Sequence, residues 1–526
     1  MKVLLHGDTT YRVALLARAA RQVLAASRSV LVIAGEVAKA EWLANVLQDI
    51  LDHPVTVHHG RARQPERPAE SAETPRLVVG TRSAVFLPLH AIGLIWIEGE
   101  DDTALKEPQE PRYHARDVAW LRAQQHQVPL VMGSSHPSLE SMTADNVDRW
   151  TQPFKPGQAP LVELVDLSRD FSGSPISARL AAALRETLQR HERAILFLNR
   201  KGYAGALVCR ECGWVPRCAS CAVALPYYRE KGRLTCRYCG VGAPPPDLCP
   251  TCGSSRLSPV GEGTERVELE IRRLFPDARL VRVEGAAARG AGAAKESWRQ
   301  VSSGEWDILI GTQILFQREP IAPASLVGIV QADSGLHLPD FRAAERTYQL
   351  LTDAASLSHP AAAGGRVILQ TALPNHHVMQ SLASHDPSRF YDEELRARQL
   401  LGYPPAVHLI HLAVSGKDRL LVGQAAQQWA RQLHNAAGSA APVQRKGSSA
   451  PAGPLLVPLS GGIGILGPVA AAGMGPKGQV RSHIMVKGQD RAALRRVVQQ
   501  TLETAEQTAP GRTLKFSVDV DPLEME

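Results

Sequence analysis

Four Cys-x-x-Cys pairs crowd into one short stretch of this chain: Cys209 and Cys212, Cys218 and Cys221, Cys236 and Cys239, Cys249 and Cys252. Together they use all 8 cysteines of its 526 residues. Each pair puts two thiolates on one tight turn, and two such turns complete a tetrahedral Zn²⁺ site. The spacing predicts two structural zinc ions per chain, in a module over 208–254. Glycine follows the second cysteine in three pairs, at Gly213, Gly240 and Gly253, where a metal knuckle needs a positive φ. A disulfide framework is the competing reading. It fails because disulfides belong to oxidising compartments and the opening MKVLLHGDTT is too short and too early broken for a secretory signal. Four pairs can be grouped around two metals in three ways, and spacing alone does not choose among them.

On either side of the module, short continuous apolar runs alternate with helix-period segments. VLVIAG (Val30 to Gly35), RLVVG (Arg76 to Gly80), GLIWIE (Gly93 to Glu98) and PLVMG (Pro129 to Gly133) are β-rich. Helical patterns separate them at Arg12 to Ala26, Glu36 to Leu51 and His114 to Gln124. Such an order argues for a parallel sheet covered on both faces. It resumes with AILFLN (Ala194 to Asn199), DILIGT (Asp307 to Thr312), LVGIV (Leu326 to Val330) and RVILQT (Arg366 to Thr371). The cysteine module therefore reads as an insertion in a second α/β lobe. Linker-like composition marks Arg61 to Pro75, Pro153 to Pro160 and Ala436 to Pro454. No apolar run approaches the roughly twenty residues of a membrane span, so a cytoplasmic protein is expected. The net charge of +7 favours polyanionic partners only weakly.

GTRSAVFLPL (Gly80 to Leu89), EPRYHARDVAWLRA (Glu110 to Ala123), LFLNRKGYA (Leu196 to Ala204), DFRAAER (Asp340 to Arg346), ELRARQLLGYPP (Glu394 to Pro405) and VDVDP (Val518 to Pro522) carry a resemblance. Over nearly its whole length the chain resembles PriA, the primosomal replication-restart helicase family of bacteria. The resemblance implies two RecA-like helicase lobes at 1–155 and 156–390, with the zinc module inside the second. A small α+β domain follows at 391–526. It also favours a nested metal pairing, with Cys209, Cys212, Cys249 and Cys252 on one ion and Cys218, Cys221, Cys236 and Cys239 on the other. Nesting makes a hairpin within a hairpin and returns the chain to the lobe it left. In the family, 3′-end-binding and winged-helix domains precede the lobes, whereas Met1 here lies just before the first lobe's first strand; the expectation is either a naturally short protein or a start assigned too late.

The resemblance breaks at the ATPase motifs. A phosphate loop needs glycines whose N–H groups cradle phosphate, a Lys for the terminal phosphates and a Ser/Thr hydroxyl for Mg²⁺. The family's HGVTGSGKT is here HGDTTYRV (His6 to Val13), one residue shorter, with Arg12 and Val13 at the Lys and Thr positions. Its Asp-Glu-Glu-His becomes Glu98, Gly99, Glu100 and Asp101, so Gly99 replaces the carboxylate that orients the attacking water. Its Ser-Ala-Thr becomes Ser134, Ser135 and His136, followed by an intact PSLES. After Gly311-Thr312-Gln313, Gln317, Arg318 and Glu319 replace Lys-Gly-His. The arginine-finger segment reads DAASLSHP (Asp353 to Pro360), with Leu357 and Pro360 at the arginine positions.

Loss of metal ligand, carboxylate and arginines together leaves no machinery for phosphoryl transfer. The expectation is a DNA-binding protein of replication restart and primosome assembly that recognises stalled forks and recruits replication proteins without hydrolysing ATP. An active ATP-dependent 3′→5′ DNA helicase with diverged motifs is the alternative. No catalytic residue is assigned, and ATP with Mg²⁺ is not expected as a tightly held cofactor. Arg82, Tyr113, His114 and Trp214 are the candidate DNA contacts, since bases stack on aromatic faces and arginines meet phosphates. Local packing competes for Tyr113, and cover of a zinc site for Trp214. Arg342 and Arg346 are expected to hold the lobes or a helix end.

Overall fold

The computed structural model describes residues 1–60, 75–153, 157–168, 174–199, 207–209, 211–228, 232–259, 264–283, 291–316, 321–438, 462–471, 478–508 and 514–524. The linker-like stretches at 61–74 and 439–461, part of LFLNRKGYA and the segment Gln317 to Glu319 lie outside them.

Apolar runs too continuous for a half-exposed strand form the first sheet. Ser29–Ala34 is buried at all six positions, and Leu77–Gly80 at all four. Seven parallel strands lie in the order Val55–His58, Leu77–Gly80, Ser29–Ala34, Ile92–Glu98, Leu130–Ser134, Lys2–His6, Asp148–Thr151. Because side chains alternate along each strand, Leu31 and Ile33 join one apolar layer and Val30 and Val32 the other. Helix Thr9–Ala25 covers the second layer with Val13, Leu16, Ala17 and Ala20. Asp8 starts it by accepting a hydrogen bond from the Tyr11 amide at 2.8 Å.

The second lobe repeats the plan. Its six parallel strands run Leu280–Arg282, Ile308–Gly311, Ala194–Leu198, Leu326–Val330, Arg366–Thr371, Leu161–Asp166. Between strand Ala194–Leu198 and helix Thr264–Leu274 the chain leaves for the cysteine module. Leu207–Cys209 leads out and pairs antiparallel with the returning Leu257–Pro259. Both feet of the insertion therefore stand side by side.

The C-terminal part is a βαββαβ unit. Strands His408–Gly416, Ile463–Ala470, Val480–Gly488 and Lys515–Val520 form an antiparallel sheet in the order second, third, first, fourth, the ferredoxin-like arrangement. Helices Arg419–Ala436 and Arg491–Thr508 cover one face, with Trp429 buried among Ile410, Leu412 and Val414. The indole Nε1 of Trp429 donates to Thr501 Oγ1 at 3.2 Å. Among the described residues no helix is long and apolar enough to cross a membrane.

Candidate functional site

Each Cys-x-x-Cys turn is closed by the same two backbone hydrogen bonds. The amide four residues after each leading cysteine donates back to its carbonyl: Gly213 to Cys209, Ala222 to Cys218, Gly240 to Cys236, Gly253 to Cys249, at 2.8–3.1 Å. The amide of each leading cysteine in turn donates to the carbonyl one residue further on, that of Trp214, Val223, Val241 or Ser254. The fourth residue after each leading cysteine is left-handed, with φ of +71°, +55°, +77° and +74°. Three of these positions are the glycines anticipated for knuckles; Ala222 carries the same conformation despite its Cβ.

The sulfurs converge in the nested grouping. Cys209, Cys212, Cys249 and Cys252 form one set and Cys218, Cys221, Cys236 and Cys239 the other, with all ligand atoms of a set within 4.8 Å. Sγ···Sγ separations are 3.5 Å for Cys209 and Cys252, and 3.6 Å for Cys212 with Cys249 and for Cys218 with Cys239. A tetrahedron with metal–sulfur bonds of about 2.3 Å has edges of roughly 3.8 Å. Both sets could hold a tetrahedral metal ion.

Packing fixes the module to its surroundings. A Cβ on Gly213 would lie 2.8 Å from Leu373 Cδ2 and 3.2 Å from the Ala372 carbonyl, so the outer knuckle sits against the end of the second lobe's sheet. The inner set shares an apolar cluster with Tyr238, Tyr403, Leu409, Leu466 and Met485. Tyr403 donates to the Cys221 carbonyl at 2.8 Å and stacks on Phe341, centroids 4.7 Å apart and planes 3° apart. The guanidiniums of Arg342 and Arg398 lie over the Phe341 ring, at 4.5 and 5.1 Å. DFRAAER and the GYPP turn thus meet the inner metal set at one point. The roles of Phe341, Tyr403 and Arg398 are not legible in sequence, although each motif shows an aromatic residue.

At the start of the first lobe, Arg12 folds into its own loop. Its Nη2 pairs with Glu98 Oε1 at 2.6 Å, and its Nε donates to the same oxygen at 2.9 Å. Nη1 donates to Ser135 Oγ at 2.8 Å and to the Gly7 carbonyl, while Nη2 also reaches Thr9 Oγ1 at 3.2 Å. The residue is 5% exposed. Its guanidinium fills the space between the Gly7–Asp8 turn, the first turn of helix Thr9–Ala25 and the strand ends carrying Glu98 and Ser135. Val13 is buried in the helix–sheet core. Gly99 has φ +72°, a conformation L side chains rarely adopt, so a carboxylate placed back there would be strained. Leu357 is part of the second lobe's core.

The remaining acids of that motif have structural work. Glu100 accepts from the Ser138 amide at 2.6 Å, Ser141 Oγ at 2.6 Å, Ser138 Oγ at 3.0 Å and Arg116 Nη1 at 3.0 Å. It thereby anchors PSLES, and PSLES builds the joint to the second lobe. There Glu140 pairs with Arg342 at 2.8 Å, the Leu139 amide donates to Glu345 Oε1 at 2.8 Å, and Tyr391 donates to the Pro137 carbonyl at 2.8 Å. Glu345 also pairs with Arg398 at 2.8 Å, which reaches Glu394 at 2.9 Å. Arg342 therefore holds the lobes, as anticipated, and Arg346 pairs with Asp340 at 2.9 Å.

His136 completes the joint. Nδ1 lies 2.9 Å from Asp101 Oδ2 and Nε2 lies 2.7 Å from Asp353 Oδ1 of the second lobe. Burial would lower its pKa, but the carboxylates of Asp353 and Asp101 outweigh that and hold it well above the ordinary value. Burial likewise raises Asp101, yet His136 and the Ser134 hydroxyl bring it below the usual carboxylate range.

The four candidate DNA contacts fall in different settings. Arg82 pairs with Glu107 at 2.9 Å, donates to the Ala104 carbonyl, and lines a cleft of about 1740 Å³ between the lobes. Tyr113 is half-buried, edge-on to Phe86. His114 is 8% exposed. Its Nδ1 accepts from the Arg116 amide at 3.2 Å and caps helix Ala115–His126. Burial, with Arg116 and Lys106 nearby, keeps its ring well below the ordinary pKa; it works as a cap beside the loop. Trp214 is half-buried on the outer knuckle. The terminal strand reaches back to this region, where Asp519 pairs with Lys106 at 2.9 Å and Arg112 at 3.5 Å.

Two parallel-sheet lobes flanking a cleft, a double four-cysteine insertion and a ferredoxin-like C-terminal unit define a two-lobed α/β protein of RecA-like plan. The family model for the primosomal protein N C-terminal domain matches residues 399–523. The replication restart protein PriA of Treponema pallidum (strain Nichols) is 33% identical over 515 residues, covering 96% of this chain and 74% of that protein. That of Bacillus subtilis (strain 168) is 31% identical over 539 residues, 99% of this chain. The chain belongs to the PriA family and spans 64% of the length of the Bacillus relative. A solved DEAD box protein from Methanococcus jannaschii covers 76% of this chain and 86% of its own length at 9% identity and TM-score 0.34; the family assignment rests on the sequence relatives.

Proposed function

We propose that this chain is a DNA-binding scaffold of replication restart that recognises forked DNA, recruits primosome proteins in the cytoplasm and does not hydrolyse ATP. The observation that carries the reading is the Arg12–Glu98 pair. The guanidinium stands where a phosphate loop keeps space for anionic oxygens, and it is already neutralised by the carboxylate that would otherwise serve Mg²⁺. A planar guanidinium is also a poor substitute for the compact ammonium of that loop. The two sulfur sets take Zn²⁺, two per chain, because four thiolates in tetrahedral reach suit it. Basic side chains at the cleft, Arg82 and Arg193 among them, supply phosphate contacts, with Tyr113 and Trp214 as aromatic neighbours.

A salt titration on forked, single-stranded and duplex DNA tests the binding half. The expected result is nucleotide-independent affinity with a clearly negative log–log slope and preference for forked or partly single-stranded forms. A slope near zero would remove DNA from the account, and equal affinity for every form would remove fork recognition. DNA-stimulated ATP turnover would favour the active helicase instead.

A further inference from the structure

Among the described residues Phe86 is the large apolar side chain that a rigid frame pushes outward beside the interlobe cleft. It is 58% exposed and ends the 3₁₀ helix Arg82–Phe86, whose first residue lines that cleft. Singly exposed hydrophobics are ordinary, but a mobile surface side chain would not be held this way. The guanidinium of Arg122 binds the carbonyls of both neighbours, Val85 and Leu87. Those two bonds fix the backbone on each side of Phe86 while leaving its ring in solvent. The ring meets Tyr113 edge-to-face, centroids 4.8 Å apart at 78°, so one face of Phe86 is braced in direction. Leu87, the next residue, turns inward and packs on the first lobe's core. The sequence thus places one aromatic outward between inward-packed neighbours, four residues from Arg82 at the cleft.

We propose that Phe86 is a stacking platform for an unpaired nucleobase at the mouth of the cleft, with Tyr113 as the brace that orients it. An aromatic face takes any base without reading its edge, and Arg82 four residues earlier, paired with Glu107 at 2.9 Å, keeps guanidinium N–H donors near enough to meet the strand's phosphates. The occupant is single-stranded nucleic acid; a duplex keeps its bases stacked on one another and leaves the ring unused. This assignment rests on the DNA-binding reading above and adds to it a residue and a mode of contact.

The test is binding of a fluorescent oligo-dT of about twenty nucleotides, the same oligomer carrying abasic sites, and a blunt duplex, by wild type, Phe86→Ala and Phe86→Trp. Stacking predicts that Phe86→Ala weakens oligo-dT binding roughly 5- to 100-fold while leaving duplex binding and the salt slope unchanged. Phe86→Trp should retain or improve affinity. Abasic sites should weaken wild type but cost Phe86→Ala little further, because the partner is already gone. Unchanged thermal melting would show that Phe86→Ala stays folded, as an exposed ring predicts. If wild type binds oligo-dT and Phe86→Ala binds it equally, or loses duplex affinity to the same extent, the platform is overturned while DNA binding stands. If wild type binds none of the probes, the DNA-binding reading falls and the platform with it.

Discussion

At the cysteine module four turns repeat the same pair of hydrogen bonds, and eight sulfurs gather into two sets. At the opening of the first lobe, the turn that in the family cradles phosphate is instead closed around its own arginine. Both regions hang on parallel sheets whose apolar strands are equally well buried. The contrast separates what a fold needs from what a reaction needs. Cysteine ligands, knuckle backbones and the Tyr403–Phe341 stack keep the molecule together, so their geometry is complete. Around the loop that departs from the family's pattern the charged groups are paired: Arg12 with Glu98 and Ser135, and His136 with Asp101 and Asp353. Buried charge must be paired to persist, and these internal ion pairs supply that pairing.

The largest effect should come from the module. Replacing Cys218 and Cys221 by Ser removes half of the inner set. Metal analysis should then fall from two zinc ions per chain to one. Because that set shares a core with the C-terminal sheet, hydrogen exchange should quicken in His408–Gly416 and Val480–Gly488 as well. A structural zinc contributes on the order of 10 kcal/mol to a small metal module. A full two-zinc content in that variant would break the comparison.

Next comes the buried joint. Arg398, 2% exposed between Glu345 and Glu394, should cost about 3–5 kcal/mol when replaced by Ala, since two carboxylates lose their counter-charge. A denaturant melt checks it. Arg12→Ala should cost somewhat less, about 3 kcal/mol, because it uncovers only Glu98. Arg12→Lys should recover part of that stability and no ATP turnover, since Val13 and Gly99 remain.

The smallest and most diagnostic effect is the pH dependence of His136. Its folded pKa lies above the unfolded value of about 6.5. The protonated ring therefore stabilises the folded state fully below the unfolded pKa, and that contribution is lost as pH rises through the raised folded pKa. The partners facing it are Asp101 and Asp353, with His6 nearby, whose own pKa burial lowers. Wild type should be more stable than His136→Gln at pH 6, with the gap narrowing as pH climbs. A gap that widened with pH would mean that the two carboxylates do not hold a cationic ring.

Much of this was legible in the sequence. VLVIAG, GLIWIE and RVILQT read as buried parallel strands because their apolar residues run consecutively instead of alternating with polar ones, and they are such strands. The knuckles were legible through Cys-x-x-Cys and three glycines; the positive φ at Ala222 was not, since nothing in its residue type signals it. The ferredoxin-like order of the last four strands was hidden, because short amphipathic strands do not declare their neighbours. Arg12 was visible as the wrong cation in a phosphate loop, but its pairing with Glu98, 86 residues away, needs the parallel sheet to bring the two ends together. In sequence Glu100 is only one position of a degenerate motif, and its service to Ser138, Ser141 and Arg116 appears only in three dimensions.

The first lobe's counterpart of the phosphate loop is closed on itself by the Arg12–Glu98 pair. Steady-state ATP turnover by the purified chain, with Mg²⁺ and with and without forked DNA, tests it most directly. The account predicts turnover at the level of the enzyme-free blank in both cases, with fork affinity unchanged by nucleotide. DNA-stimulated turnover above that blank, abolished by Glu98→Gln, would contradict it.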